Sequence, residues 1–482
     1  MINYEDFLRE SRALLIAPAG YGKTHAIVEC LKLTKGRQLI LTHTHAGVAA
    51  LRDRLRKIGI HHSCYRLETI SSIAQKIAVA YTRFDEIPPQ EDARLYFPWI
   101  LHRANELSES RHIQRMMKAS FSGVFVDEYQ DCTVTQHRLI MSLSRGLPLR
   151  ALGDPMQGIF GFLRDDPIVD FDADLKSFVR YELTEPRRWS ATNPLLGAEI
   201  ADIRRCLESE IPLESKRYKA IRFITVSPVQ SIPEIVRLGN LMAKKGSALM
   251  IVSDSAGRPP RTKIARLFGG RCGIIEAVDD REFYELANLA DGLSEDNGVA
   301  VLYGIASRVF FKSQLDEWLK TDGVKKKRKS EDEKKSISLA AAVHNLRECP
   351  SFENLLEALV SIKTIPGVQI LGHEKYYSIV RSLRIAVSST CSVVDAMHRL
   401  RNHIRIVGRR VGNFSVGSTL LTKGLEFDNV IVLDCDPGFN LGTVSGRRNF
   451  YVAISRARKS LCIVRYDKTA YVRSWLKVAR QS

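Results

Sequence analysis

A short apolar run, Leu14-Leu15-Ile16, breaks into Ala17-Pro18-Ala19-Gly20-Tyr21-Gly22-Lys23-Thr24 and is followed by apolar residues at helical spacing, Ala26, Ile27, Leu31 and Leu33. Strand, glycine-rich turn and helix in that order mark a loop whose backbone N–H groups converge on phosphate. Gly20 and Gly22 permit the turn, Lys23 can reach the β- and γ-phosphates of a nucleotide, and the Thr24 hydroxyl can hold Mg²⁺. Ala17 occupies the first position of the pattern, where glycine is usual. The arrangement points to an α/β chain in which the strand carboxyl ends form the working edge.

Further strands can be read on the same terms. Gln38-Leu39-Ile40-Leu41-Thr42 is an apolar run ending in His43-Thr44-His45, and the stretch Ala46 to Ile58 after it is helical in pattern and carries Arg52, Arg54, Arg56 and Lys57. With no third ligand nearby, His43 and His45 are read as hydrogen-bonding groups for a nucleic-acid backbone and not as a metal pair. Val124-Phe125-Val126 ends in Asp127-Glu128. Beside a phosphate loop, the first carboxylate suits Mg²⁺ and the second suits polarising a water for attack on phosphorus, since phosphoryl transfer needs mainly positioning and charge stabilisation. Leu149-Arg150-Ala151-Leu152 leads into a segment holding Gln157, Phe160 and Phe162. The Gln157 amide can sense a γ-phosphate. Phe160 and Phe162 suit stacking on unpaired bases and suit a core equally well.

Charge narrows the partner. Lys and Arg together number 72 against 54 Asp and Glu, a net charge of +18, and such an excess favours a polyanion, nucleic acid being the commonest. Nine cysteines with no Cys-x-x-Cys pair fit neither a disulfide framework nor a zinc ribbon, and read mostly as small core residues in a reducing compartment. No apolar run approaches the roughly 18–20 residues a bilayer span requires, and the start Met1-Ile2-Asn3-Tyr4-Glu5-Asp6 lacks the basic opening of a signal peptide. The expectation is a soluble, cytoplasmic protein with no membrane partner.

The segments 17–24, 41–45, 126–131, 153–162 and 183–188, followed by Thr422-Lys423-Gly424-Leu425-Glu426-Phe427-Asp428 and Tyr451-Val452-Ala453-Ile454-Ser455-Arg456-Ala457, occur in the order of the motifs of superfamily 1 DNA helicases, and the chain resembles the UvrD/Rep (PcrA) type. The resemblance implies an α/β fold of two RecA-like P-loop NTPase cores, parallel sheets flanked by helices, with ATP and Mg²⁺ between them. It further implies movement along single-stranded DNA, 3′-to-5′, driven by opening and closing of the cleft, with duplex junctions as substrate. Carried over residue by residue, Lys23, Glu128, Gln157, Arg188 and Arg456 are the catalytic set, the last two being γ-phosphate arginines. Thr24 and Asp127 take the metal. Ala17, Pro18, Ala19, Gly20, Tyr21, Gly22, Lys23, Thr24, Arg187 and Glu426 take the nucleotide, Glu426 approaching the ribose. Thr42, His43, Thr44, Thr69, Ser71, Phe160 and Phe162 contact DNA. Phe162 falls where the family usually has tryptophan, Arg187 where it has a base-stacking tyrosine, and Leu420 where it has histidine. No glutamine precedes the phosphate loop, so the usual adenine-reading residue has no counterpart.

The expected layout is a first core over 1–81 and 116–181, interrupted by a shortened insertion at 82–115, and a second core over 182–281 and 405–482. A mainly helical insertion at 282–404 carries a charged loop at 325–335. Two functions fit. One is an ATP-dependent helicase or translocase on single-stranded DNA. The other is an NTP-hydrolysing, DNA-sensing regulatory subunit of a nuclease complex, resembling the small UvrD-like proteins of the Gabija antiphage type that pair with OLD-family nucleases. The short insertion and the missing glutamine lean toward the second. Intact Lys23, Glu128 and Arg456 argue against a non-enzymatic scaffold.

Overall fold

The computed structural model describes residues 2–88, 93–159, 166–226, 231–243, 246–254, 261–269, 271–275, 280–325, 330–397, 400, 412–434, 439–466 and 476–477. Sixteen strands occur among them: β1 Arg12–Ile16, β2 Gln38–Thr42, β3 Tyr65–Thr69, β4 Gly123–Val126, β5 Leu149–Gly153, β6 Val179–Glu182, β7 Leu213–Glu214, β8 Ile221–Val226, β9 Leu249–Val252, β10 Gly273–Ile274, β11 Leu319–Lys320, β12 Gly323–Val324, β13 Phe414–Gly417, β14 Phe427–Asp434, β15 Ala457–Tyr466 and β16 Leu476–Lys477. Most belong to the six-stranded sheet β3-β2-β4-β5-β1-β6 and to two parallel ladders, β10-β13-β9 and β14-β15-β8. The first is parallel throughout. The fold is therefore α/β, with parallel sheets flanked by helices, as the strand-loop-helix pattern leads one to expect.

The residues group into two compact units, one drawn from 1–231 and 422–482, the other from 232–404 and 412–421. In the first, β2, β4 and β5 are buried along their whole length, which is why β4 reads as an unbroken apolar run and β2 nearly so, while β5 encloses Arg150. Alternate side chains feed two cores. Leu14, Leu39, Leu41, Val126 and Ala151 face one cluster with Ile73, Ile77, Leu139 and Ile140, while Ala13, Leu15, Ile40, Phe125 and Leu152 face another with Ala26, Ile27, Leu51 and Leu55. The same unit carries the parallel ladder of β14, β15 and β8 and the short parallel pair β7 and β16.

The 82–115 stretch holds the helix Ala93–Ser108 and the start of a second, Arg111–Ser120. Tyr96, Ile100 and Ala104 bury their stripe against Ile73, Ile77 and Leu139, so this segment completes the first core's packing instead of standing off from it.

In the second unit β9, β13 and β10 run parallel, and the helices Asp280–Asp291, Gly298–Val309, Phe352–Thr364 and His373–Ser389 share a core that includes Leu302, Ile305, Leu355, Leu359, Ile379 and Leu383. Asp291 accepts the N–H groups of Val393 and Val394 at 2.7 and 2.9 Å. The charge run departs from expectation. The 325–335 segment reads as a solvated loop, yet from Ser330 it is the start of a helix, Ser330–Glu348. Acids at 331–333 fall at the amino end, where the helix dipole favours negative charge, a positional effect that a count of charges does not register. Residues 326–329 lie outside the described residues, as do Phe160 and Phe162. No helix among the described residues is long and apolar enough to cross a membrane.

Candidate nucleotide site

Strand order brings the site together. β1 has β5 on one side, paired Ile16 with Gly153, and β4 pairs with β5 beyond it. The loops leaving the carboxyl ends of these three strands therefore begin as neighbours, although the first is more than a hundred residues from the other two in the chain, and Ala17 N–H donates to Gly153 O at 2.9 Å. Gly20 (φ 77°) and Gly22 (φ 100°) are both left-handed. A β-carbon on Gly20 would meet the Trp189 ring at 2.7 Å, so the position tolerates only glycine on two counts. Pro18 O accepts from Tyr21 N–H at 3.1 Å, Tyr21 is buried, and the Lys23–Leu33 helix starts directly behind the loop. That leaves Lys23 and Thr24 at a helix amino terminus.

Lys23 Nζ lies 2.7 Å from Glu128 Oε2. Burial by itself would lower the lysine, but Glu128, Asp127 and Asp154 outweigh it and hold the ammonium above its ordinary range. Glu128 shows the reciprocal effect: burial works against its charge, and Lys23 and Lys423 overcome that and keep the carboxyl down at about 2. Asp127 is pushed up to about 7, by burial first and by the Glu128 charge second. Of two adjacent buried acids, one is thus a carboxylate and the other is held near neutrality, and a cation brought to Asp127 would exchange for its proton at little cost. Glu128 also adopts φ 57°, a left-handed backbone unusual for glutamate that aims its side chain back at the loop, and it accepts from Gln130 Nε2 at 2.6 Å.

Gln157 is buried in the turn after β5. Its Nε2 donates to Asp154 Oδ2 at 2.8 Å, which leaves Oε1 to accept from Arg456 Nη2 at 3.2 Å. Arg456 is itself buried, its Nε donating to Val452 O at 2.9 Å and its Nη2 to Ser455 Oγ at 2.8 Å. Burial, then the neighbouring Arg188, bring it down to about 10. Arg188 pairs with Glu426 at 2.7 Å and donates to Ser455 O. Arg187 lies over Gly22, its Cδ 3.2 Å from where a β-carbon there would stand. Lys23, Glu128, Gln157, Arg187, Arg188, Glu426 and Arg456, read from scattered motifs, all fall in the first unit around the phosphate loop.

The residues expected to meet DNA lie along the ends of β2 and β3. Thr42 and Thr69 are buried. The Thr69 hydroxyl caps the helix Ile70–Ala80, accepting from Ser72 N–H at 3.0 Å, and Thr44 caps His45–Ile58 by accepting from Gly47 N–H at 3.0 Å. Ser71 is exposed. His43 Nε2 approaches Cys132 Sγ at 3.4 Å, and burial, with Lys423 nearby, pushes its imidazole down to about 4, so at neutral pH it is an uncharged hydrogen-bonding group. Of the cysteines, Cys30, Cys132, Cys206, Cys272 and Cys462 are buried while Cys64 and Cys349 are exposed.

Several contributors have no role in the motif reading. Lys423 donates to Asp131 and, at 2.6 Å, to Gln157 O. Tyr451 Oη accepts from the loop's own Ala19 N–H at 3.0 Å, and Arg204 pairs with Asp154 at 2.9 Å. Lys423 and Tyr451 lie inside motifs and were open to recognition. Arg204 stands in the ordinary helix Pro194–Glu208, and nothing local distinguishes it from its neighbour Arg205.

Residues 88–171 match the family model of the UvrD/REP helicase N-terminal domain. The chain is 35% identical over 101 residues to the exonuclease/helicase subunit RexA of Lactococcus lactis subsp. cremoris, a stretch that is 21% of this chain and 8% of that protein. It is 26% identical over 153 residues to an ATP-dependent helicase/nuclease subunit of Leuconostoc mesenteroides, covering 32% of this chain and 12% of the relative. The matched stretch is thus a small fraction of these much longer relatives. Among solved structures, an Arterivirus nonstructural protein 10 (helicase) with DNA superposes at a TM-score of 0.37 and 10% identity, over 97% of this chain and 64% of that one. The family match falls on the segment that carries Asp127, Glu128 and Gln157, and over that segment the chain is similar to the superfamily 1 helicases of the UvrD/Rep type.

Proposed function

We propose that the protein is an ATP-dependent helicase or translocase acting on single-stranded DNA, 3′-to-5′, with 1–81 and 116–181 as the first RecA-like core, 182–281 and 405–482 as the second, and 82–115 and 282–404 as insertions. The observation that carries this reading is the convergence of Lys23, Glu128, Gln157 and Arg456 on one glycine-rich loop. In it, Lys23 leaves Glu128 for the β- and γ-phosphates of ATP, and Glu128, released, orients the attacking water. Thr24 and Asp127 would hold Mg²⁺, which neutralises phosphate charge, and the raised Asp127 carboxyl fits that donor role. Arg188 and Arg456 stabilise charge on the transferred phosphoryl group. Because both belong to the second core, hydrolysis requires the cores to close, and that dependence couples chemistry to movement.

Thr42, His43, Thr44, Thr69, Ser71, Phe160 and Phe162 form the DNA track of this proposal. The decisive experiment is NTP hydrolysis by the purified chain with and without single-stranded DNA, run beside strand displacement on a 3′-tailed duplex. Stimulated hydrolysis with unwinding is the expected result; hydrolysis indifferent to DNA would refute it.

A second reading has support of its own. The relatives are named as subunits that pair helicase with nuclease or exonuclease, and the 82–115 stretch is short for the insertion this reading assigns to it. In that reading the chain is an NTP-hydrolysing, DNA-sensing subunit that controls a nuclease partner, and it would hydrolyse in response to DNA without separating strands.

A further inference from the structure

On the first sheet, the nucleotide residues and the proposed DNA track occupy the strand carboxyl ends. The opposite edge has a feature of its own. Where β2 and β3 begin, in register at Gln38 and Tyr65, a concavity of about 590 Å³ is lined by Arg37, Arg52, Arg56, Arg66, His61 and His62, with no acidic residue in its wall. Arg37 leads into β2, Arg52 and Arg56 are one turn apart on the helix His45–Ile58, and Arg66 is on β3. Three separate elements therefore aim guanidinium groups into one hollow.

The arginines are unequally engaged. Arg66 Nε lies 3.0 Å from Glu68 Oε1 and Arg56 Nη2 lies 3.5 Å from Asp53 Oδ1. Among the described residues Arg37 and Arg52 have no ionic partner. Four guanidinium groups gathered with acids beside only two of them carry an excess of positive charge, and an oxyanion-rich ligand relieves the repulsion while using the planar fork of each group. Tyr65, the aromatic residue of the wall, is buried. The two imidazoles lie against each other with centroids 4.2 Å apart. With Tyr65 enclosed, guanidinium forks dominate the hollow, which suits it to gripping phosphates more than to stacking bases.

We propose that this hollow is a second nucleic-acid site that holds the phosphodiester backbone of double-stranded DNA. A duplex suits it because paired bases need no stacking surface and because two strands give the denser row of phosphates, about one charge per 1.7 Å of axis. The strands separate it from the carboxyl-end track by roughly 13 Å, four residues at about 3.3 Å each, so one DNA molecule can engage both only if it bends around the sheet edge or if a tail and its duplex take one site each. The inference uses the proposed DNA partner but not the hydrolytic mechanism.

The test is R37E/R52E, with R52Q as the milder variant, measured by fluorescence anisotropy on a blunt duplex and on a single-stranded oligonucleotide across a salt series. Duplex affinity is expected to fall roughly tenfold at low salt and the salt slope by about two, one per lost phosphate contact. Single-strand affinity should change less than twofold, and hydrolysis without DNA should be unaltered. Unchanged duplex binding overturns the proposal, and so does an equal loss on both substrates, which would make the hollow part of a diffuse basic surface. A wild-type protein that binds duplex through these arginines but never hydrolyses NTP would refute the helicase reading and leave this site standing.

Discussion

Arg204 Nη1 lies 2.9 Å from Asp154 Oδ1, an ion pair in which Arg204 is 7% exposed and Asp154 fully enclosed. The other oxygen of Asp154 accepts from Gln157, and Gln157 accepts in turn from Arg456. The same Nη1 also donates to Tyr451 Oη at 3.4 Å, the hydroxyl that accepts from Ala19 N–H. One buried arginine thus joins the phosphate loop to the glutamine and the arginine that face it. It also decides which way the Gln157 amide points, since the carboxylate takes its N–H₂ end.

Removing one partner of such a pair leaves the other charge buried and unpaired. R204M should lower stability by about 3–5 kcal/mol, and adding D154N should recover part of the loss by removing the orphaned charge. Denaturant midpoints of the two variants decide the matter. Equal midpoints for R204M and wild type would show that the pair contributes nothing.

Lys23 faces phosphate in the proposed mechanism, and its ammonium pairs with Glu128. K23A should abolish NTP hydrolysis and leave single-strand binding within about twofold of wild type, as read by a phosphate-release assay and an anisotropy titration. Hydrolysis at the wild-type rate would remove Lys23 from the site.

Arg456 donates to four acceptors from three nitrogens, Val452 O, Leu425 O, Ser455 Oγ and the Gln157 amide. A lysine reaches one of these at a time, so R456K should behave almost as badly as R456A. The expected fall in kcat is on the order of a thousandfold, with nucleotide affinity changed only a few-fold, because the group acts on the transition state. Single-turnover hydrolysis and a binding isotherm separate the two effects, and a fall confined to affinity would contradict the assignment.

His43 carries a signature in pH. Its imidazole ionises at about 4 in the folded chain and near 6.5 when unfolded. Between those values the unfolded chain binds the proton and the folded one does not, so this group's contribution is complete above about pH 6.5 and is lost as pH falls toward 4, to an extent on the order of 3 kcal/mol. The melting temperature of H43N should therefore decline less steeply than that of wild type between pH 6.5 and 4. Parallel curves would mean that His43 is not buried neutral.

Much of the site was legible before any coordinates. The loop from Ala17 to Thr24 and the acids at Asp127 and Glu128 are marked by local chemistry, glycines where the backbone must turn left-handed and carboxylates at the end of an unbroken apolar strand, whereas Arg456 stands out only through the family resemblance. Local order of that kind survives in a linear string. The helical start of the lysine-rich run did not read correctly, because alternating charges carry no apolar period and their place relative to a helix dipole depends on where the helix begins.

What the sequence by itself determined is the set of chemical groups and the elements that present them, since strand, turn and helix preferences act over a few residues. Which of those groups meet was decided by the tertiary structure alone. The order β4-β5-β1 puts three loops at one edge, and burial there favours partnered polar groups, which selects Arg204 for Asp154 and Tyr451 for Ala19 from many arginines and tyrosines of equal standing in the chain. The same applies to Arg37, Arg52, Arg56 and Arg66, ordinary surface residues in the sequence that only the pairing of β2 with β3 gathers into one hollow.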